Sequence, residues 1–191
     1  DVVLDGTKLT SLDSEAPARA VGIYRAEFAD GPHAFDVVIQ SKKYVRLLGG
    51  VVERETPGVV VDQLGVGAMS TRCIPMEDPA VSAPMLAYRR YDLVILMTGA
   101  ADIFSMDIHR DLLRQVIALH RQARPDVSFL LVSPPDRGQS QVTPKLLTLG
   151  KERAEIAAEQ GTGYWDLLAA EGGPVWMMKC IQRDMALSDQ I

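Results

Sequence analysis

From about residue 59 onward the sequence alternates between short apolar runs and longer segments with helical periodicity, and this alternation constrains the fold most. Residues 91–97 (YDLVILM) form a continuous apolar run, which predicts a strand covered on both faces. Residues 107–124 then repeat apolar side chains at a helical spacing and stop before Pro125. A second apolar run at 127–132 predicts the next strand.

The same pattern continues toward the end of the chain. Thr143 and Pro144 suit the N-cap and first turn of a helix, and Gly161 suits its end. Residues 163–168 predict a third strand, and residues 176–185 predict a further helix. Because neighbouring parallel strands need helical crossovers, this order predicts an α/β fold with a parallel sheet flanked by helices.

The N-terminal residues have a different pattern. Short β-rich runs occur at 35–40, 44–48, 51–55 and 59–61, separated by turns rich in glycine and proline. Short strands at close spacing without a helical segment predict a small antiparallel β-sandwich or jelly-roll-like module. We therefore predict two domains, a β-rich module at 1–58 and an α/β core at 59–191.

The composition excludes several classes of protein. The net charge of −5 argues against a nucleic-acid-binding surface, which needs clustered Lys and Arg. No apolar run reaches the roughly 18 residues that span a bilayer, and no signal peptide opens the sequence. Cys73 and Cys180 are expected to be free thiols, and the histidines form no Cys/His cluster, so no metal site is predicted.

In an open parallel sheet, functional residues gather in loops after the carboxyl ends of the strands. Four such loops are predicted, at residues 62–68, 98–102, 133–136 and 188–189. Their order resembles the sequence blocks of the SGNH (GDSL) hydrolase family. Residues 64–68 (LGVGA) resemble its second block, residues 98–102 (TGAAD) its third, and the run from 164 to Asp189 the approach to its final Asp-x-x-His block.

The resemblance implies a flavodoxin-like sheet and a serine esterase without a cofactor. It makes Asp189 the acid of a catalytic triad, which orients and stabilises the imidazolium. It gives Gly65 and Gly67 backbone N–H groups for an oxyanion hole, and it places Gly99 and Ala101 in the third block. In several bacterial envelope members a β-rich module is inserted between the first and second blocks, and residues 1–58 resemble that insert.

The sequence also departs from the family pattern. It contains no Gly-Asp-Ser tripeptide, and the triad histidine would fall at position 192. Ala101 stands where the family has an asparagine, and a methyl group cannot donate to an oxyanion. Ser105 is interpreted as a helix N-cap and Asp102 as an organiser of its own loop. His109 and His120 are interpreted as surface or rim residues.

These features favour a carbohydrate or peptidoglycan O-acetylesterase in a periplasmic or extracellular setting, with a small-molecule or polysaccharide ester as substrate. One alternative is a catalytically degenerate protein of the same fold that binds a glycan or a protein partner. Another is an unrelated flavodoxin-like domain that binds a phosphorylated ligand, although the four loops lack a glycine-rich phosphate-binding pattern.

Overall fold

The computed structural model describes residues 1–65, 69–99 and 101–187. The chain divides into two compact units, Asp1–Gln63 and Leu64–Ile191. Two of the predicted site residues, Gly67 and Asp189, lie outside the described residues. Within the ranges that are described, no helix has the length and apolarity to cross a bilayer.

The first unit contains a three-stranded antiparallel sheet in the order β2-β1-β3. Asp5 and Gly6 join β1 to β2 with φ angles of 50° and 74°, which suit a tight hairpin turn of Asp-Gly type. His33 ties the segment before β3 to this turn, because its Nδ1 lies 2.7 Å from Asp5 Oδ2. The strands are β1 (Val2–Leu4), β2 (Thr7–Thr10) and β3 (Phe35–Val37).

The prediction of a β-rich first module is met only in part. β3 forms within the predicted run at 35–40, but residues 44–48, 51–55 and 59–61 lie in no strand, so those three predictions are wrong. Tyr44 and Val59 are almost wholly exposed. A β-rich run becomes a strand only when a neighbour pairs with it, and composition alone does not supply that neighbour. The sandwich or jelly-roll architecture is therefore not confirmed.

The second unit is a mixed α/β structure with a parallel sheet in the order β4-β5-β6, as the alternating pattern predicts. A single-turn 3₁₀ helix at Thr71–Cys73 precedes α1, and another at Asp102–Phe104 follows β4. The elements are α1 (Pro79–Arg89), β4 (Leu93–Leu96), α2 (His109–Ala123), β5 (Ser128–Val132), α3 (Thr143–Gln160), β6 (Gly163–Trp165), α4 (Leu167–Glu171) and α5 (Trp176–Gln182).

The core of the second unit lies between one face of this sheet and the helices α2 and α3. The two helices present apolar residues at a helical spacing, and the strands present alternate residues to them. A second, smaller cluster joins the 3₁₀ helix after β4 to the start of α3. The main cluster consists of Leu96, Leu113, Val116, Ile117, Val127, Phe129, Leu131, Ile156 and Ala157.

The other face of β4 is open to solvent. Leu93, Ile95 and Met97 are 50%, 53% and 60% exposed, while the alternate residue Leu96 is 6% exposed. β4 also forms an edge of the sheet among the described residues. The sequence run 91–97 predicted a strand covered on both faces, and the described residues cover one of them.

Candidate functional site

The turn that follows β4 is the best-defined part of the predicted site. Gly99 is buried and has a φ angle of +139°, a conformation that side-chain-bearing residues rarely adopt. A Cβ atom built on Gly99 would lie 2.7 Å from Pro134 Cγ. Asp102 N donates to Gly99 O at 3.0 Å, which closes the turn and begins the short 3₁₀ helix. Glycine is therefore required here both by backbone conformation and by packing.

The carboxylate of Asp102 connects this turn to a distant segment. Asp102 is fully buried, and its Oδ1 accepts from the Thr71 N–H at 2.7 Å. Its Oδ2 accepts from the Thr71 hydroxyl at 2.6 Å. The prediction that Asp102 bonds to N–H groups of its own loop is wrong, because the carboxylate joins residues 31 positions apart.

Arg153, in the middle of α3, neutralises this carboxylate. Its Nη2 lies 3.1 Å from Asp102 Oδ2, and both side chains are fully buried. Burial lowers the pKa of Arg153 from its ordinary value, while the Asp102 carboxylate raises it. A buried carboxylate without a partner would be strongly destabilising, so the pair accounts for how a charged group is held under this turn.

His109, the first residue of α2, extends the same network. It is fully buried, with Nδ1 2.8 Å from Glu152 Oε2 and Nε2 3.7 Å from Asp102 Oδ2. Burial lowers the pKa of His109, and the hydrogen bond to Glu152 opposes that shift. Among the described residues, His109 Nε2 has no hydrogen-bond partner. The prediction that His109 is a surface residue is therefore wrong, and His120 is half-buried.

The remaining predicted residues of the second unit occupy more ordinary positions. Gly65 is exposed, and it lies six positions before the anchored Thr71. Ala101 precedes the 3₁₀ helix after β4, and its methyl group offers no hydrogen-bond donor. Ser105 ends that 3₁₀ helix and its hydroxyl donates to Asp102 O, so it is not the N-cap of α2.

The loop after β5 has structural bonds of its own. Ser133 Oγ donates to Asp166 Oδ1 at 3.1 Å and accepts from Leu168 N, which fixes the start of α4. Asp136 Oδ2 accepts from Met177 N at 2.8 Å and so holds the first turn of α5. Among the described residues, no group of three or more His, Cys, Asp or Glu side chains is arranged to hold a metal ion.

Sequence reasoning missed the two anchors of the turn, Thr71 and Arg153, and the buried neighbour His109. A signal for two of them was present. Arg153 continues the apolar series Leu146, Leu149 and Ile156 along α3, and His109 precedes Leu112, Leu113 and Val116 along α2. A titratable residue on the apolar stripe of a helix indicates a buried polar contact, since such side chains are rarely buried without partners.

The similarity of this chain to known proteins is structural. No family model matches the sequence, and no curated protein matches it. The chain is similar to the solved structure "Peptidoglycan O-acetylesterase in action, 5 min", with a TM-score of 0.50 and 20% sequence identity. The similarity covers 57% of this chain and 34% of that one, so this chain matches about a third of the neighbour's length. At this identity the likeness establishes the fold alone.

Proposed function

We propose that the second unit belongs to a serine ester hydrolase of SGNH (GDSL) type that removes acetyl groups from a carbohydrate or cell-wall polymer. The observation that carries the proposal is the buried network that fixes the turn after β4. This turn lies at the end of the sheet where parallel α/β enzymes place their sites, in a fold shared with a peptidoglycan O-acetylesterase.

In this proposal a serine attacks the ester carbonyl and a histidine carries the proton to the leaving group. The Gly-Asp-Ser tripeptide is absent from residues 1–191, and a histidine three positions after Asp189 would fall at position 192, so the proposal assigns both residues to flanking polypeptide. Asp189 orients the histidine, and backbone N–H groups at Gly65 and Gly67 stabilise the oxyanion. This chemistry needs no cofactor. A periplasmic or extracellular location and a polysaccharide substrate form part of the same proposal.

The experiment measures acetate release from O-acetylated peptidoglycan by the full-length protein. Asp189→Ala is expected to lower kcat by about 10⁴, the effect of losing the acid of such a triad. Asp126→Ala removes an exposed carboxylate that pairs with Arg124, and it should leave kcat unchanged. Equal activity of Asp189→Ala and the unmodified protein would refute the assignment of Asp189.

Ala101 gives a second test at the same site. One oxyanion donor is typically worth about 10²–10³ in kcat, so Ala101→Asn should raise acetate release by up to that factor. A second, donor-free substitution, Ala101→Val, should give no increase. If Ala101→Asn also leaves the rate unchanged, this position does not face the oxyanion.

Ala101 is also the observation that favours a second candidate function. A protein of this fold without the side-chain donor could bind an acetylated glycan and not hydrolyse it. Retention of the full-length protein on immobilised O-acetylated polysaccharide, without release of acetate, would favour binding over catalysis. Retention followed by acetate release would favour the esterase.

A further inference from the structure

The charged side chain of Arg153 occupies a buried position, where a charge is energetically unfavourable. It is 0% exposed, and it lies on the face of α3 that otherwise buries Leu149 and Ile156. Replacing a buried ion pair by apolar residues of similar volume is often neutral or stabilising, so stability alone does not account for a guanidinium here. What distinguishes arginine is its planar group with donors in a fixed fork, which can hold several acceptors in one relative placement.

The acceptors of Arg153 come from two strands and the turn between them. Nη1 donates to Val132 O at 2.7 Å and to Leu96 O at 3.3 Å, the last residues of β5 and β4. Nη2 donates to Thr98 Oγ1 at 2.9 Å and to Asp102 Oδ2 at 3.1 Å. One rigid group therefore fixes the turn after β4 relative to the carboxyl ends of two neighbouring strands.

The network reaches Thr71 both directly, since Arg153 Nη2 donates to Thr71 Oγ1 at 3.4 Å, and through Asp102. The carboxylate that Arg153 holds accepts both the N–H and the hydroxyl of Thr71. Gly99 lies directly beside the guanidinium, since a Cβ at that position would be in van der Waals contact with Arg153 Nη2 at 3.4 Å. Thr98, Asp102 and Thr71 are thus held by one side chain from α3.

We propose that Arg153 is a positioning residue that sets the placement of Thr98, Asp102 and Thr71 relative to one another. This inference rests on the proposed esterase function, in which Gly65 and Gly67, before Thr71 in sequence, stabilise the oxyanion and Ala101, beside Asp102, stands where the family has its side-chain donor. Arg153 acts through Asp102, Thr98 and Thr71 and does not touch the substrate. Because oxyanion donors work only when preorganised, a displacement of about 1 Å can lower the rate by about 10².

The test compares Arg153→Lys with Arg114→Lys in the full-length protein. Lysine at position 153 keeps the positive charge beside Asp102 but lacks the planar, forked set of donors that the guanidinium provides. Arg114→Lys loses the same fork on the exposed face of α2, where Arg114 pairs with Glu159. With p-nitrophenyl acetate we expect Arg153→Lys to lower kcat by about 10- to 100-fold, with KM within about threefold of its original value. Arg114→Lys should change neither.

Amide hydrogen exchange provides a measurement that does not depend on turnover. The N–H groups of Thr71 and Asp102 should exchange about tenfold faster in Arg153→Lys, while those in the middle of α2 keep their rates. Thr98→Val removes one acceptor of Nη2 without a charge change, but it also removes the hydroxyl 2.5 Å from Thr71 Oγ1. Its readout is therefore the Asp102 N–H, which should exchange faster to a smaller degree. This variant keeps the test available if Arg153→Lys does not fold.

The outcomes separate the two proposals. Faster exchange at Thr71 and Asp102 in a protein that hydrolyses no ester would support the role of Arg153 and refute the esterase. Unchanged exchange at both amides would overturn the role of Arg153, whether or not kcat falls. A fall in kcat that is equal for Arg153→Lys and Arg114→Lys would also overturn it.

Discussion

The two units of the chain bury their apolar residues to very different extents. In the second unit Leu113 and Leu131 are fully buried between helices and sheet, whereas Tyr44 and Val59 of the first unit are 108% and 92% exposed. The difference follows from layering: a sheet needs a second layer against which to bury its apolar face. Helices α2 and α3 provide that layer in the second unit, and the described strands of the first unit form a single small sheet.

The polar contacts differ in a corresponding way. The first unit is held at its hairpin by Asp5, which binds the half-exposed His33 and accepts from Ala34 N. In the second unit, Asp102 and Arg153 form an ion pair in which both side chains are fully buried. Buried ion pairs are costly to break, while exposed ones contribute little to stability. The comparison therefore predicts unequal responses of the two units to equivalent changes.

The largest difference is expected for loss of apolar side-chain volume. Leu113→Ala leaves a cavity in the core of the second unit and should lower its free energy of unfolding by about 2–5 kcal/mol. Val59→Ala changes an exposed side chain, and its effect should lie within about 0.5 kcal/mol. Urea denaturation measures both, with Trp165 and Trp176 fluorescence reporting on the second unit and amide exchange in β1 on the first. Similar losses for the two variants would contradict the difference in burial.

A smaller difference is expected for two glycines with similar backbone conformations. Gly99 and Gly49 have φ angles of +139° and +151°, so alanine is strained at either position. Only at Gly99 would the new Cβ also meet Pro134 at 2.7 Å, whereas at Gly49 it would meet nothing within 4 Å. Gly99→Ala should therefore cost about 2–4 kcal/mol and Gly49→Ala about 1 kcal/mol, measured by the same denaturation. Equal losses of unfolding free energy for the two variants would show that the side chains around Gly99 can rearrange to accept a Cβ atom.

The contrast between the units also explains which predictions succeeded. The helix predicted at Thr143 and Pro144 runs from Thr143 to Gln160, with Val142 and not Thr143 as its N-cap, and it ends at Gly161, which adopts the left-handed conformation. The runs at 91–97 and 127–132 contain β4 and β5, but the strand predicted at 163–168 ends at Trp165 and α4 begins at Leu167. Residues 44–48 and 51–55 have the same β-rich composition but form no strand, because strand formation depends on pairing partners that a local pattern does not specify.

The candidate site also contains residues that a local sequence pattern predicts and residues that it does not. The turn at 98–102 was identified from its glycine and its place after a strand, and it does follow β4, while its part in catalysis stays a prediction. Its anchors Thr71 and Arg153 are 31 and 51 residues from Asp102, and no spacing rule connects them to it. The roles of Asp189 and Gly67 remain predictions, since both lie outside the described residues.

The smallest difference expected is in the response of the two units to pH, and it has opposite signs. The hydrogen bond to Asp5 raises the pKa of His33, so the stability that His33 contributes is present below its unfolded pKa of about 6.5. It is lost as the pH rises through the higher folded pKa. Burial lowers the pKa of His109, so the second unit loses stability as the pH falls below about 6.5 toward the lower folded pKa.

Amide exchange between pH 8 and 5, corrected for the intrinsic exchange rate, should therefore show the hairpin of the first unit gaining protection while α2 loses it. The hydrogen bond from Ala34 N and the contact with His33 lower the pKa of Asp5, so its contribution is lost only at more acidic pH. His33→Gln should reduce the pH dependence of stability in the first unit alone, and His109→Gln should reduce it in the second unit alone. Some pH dependence should persist in the second unit because burial also lowers the pKa of His120. Each variant is the control for the other. If both units respond to pH with the same sign, then the half-exposed contact of His33 and the buried position of His109 do not govern the proton binding of their units.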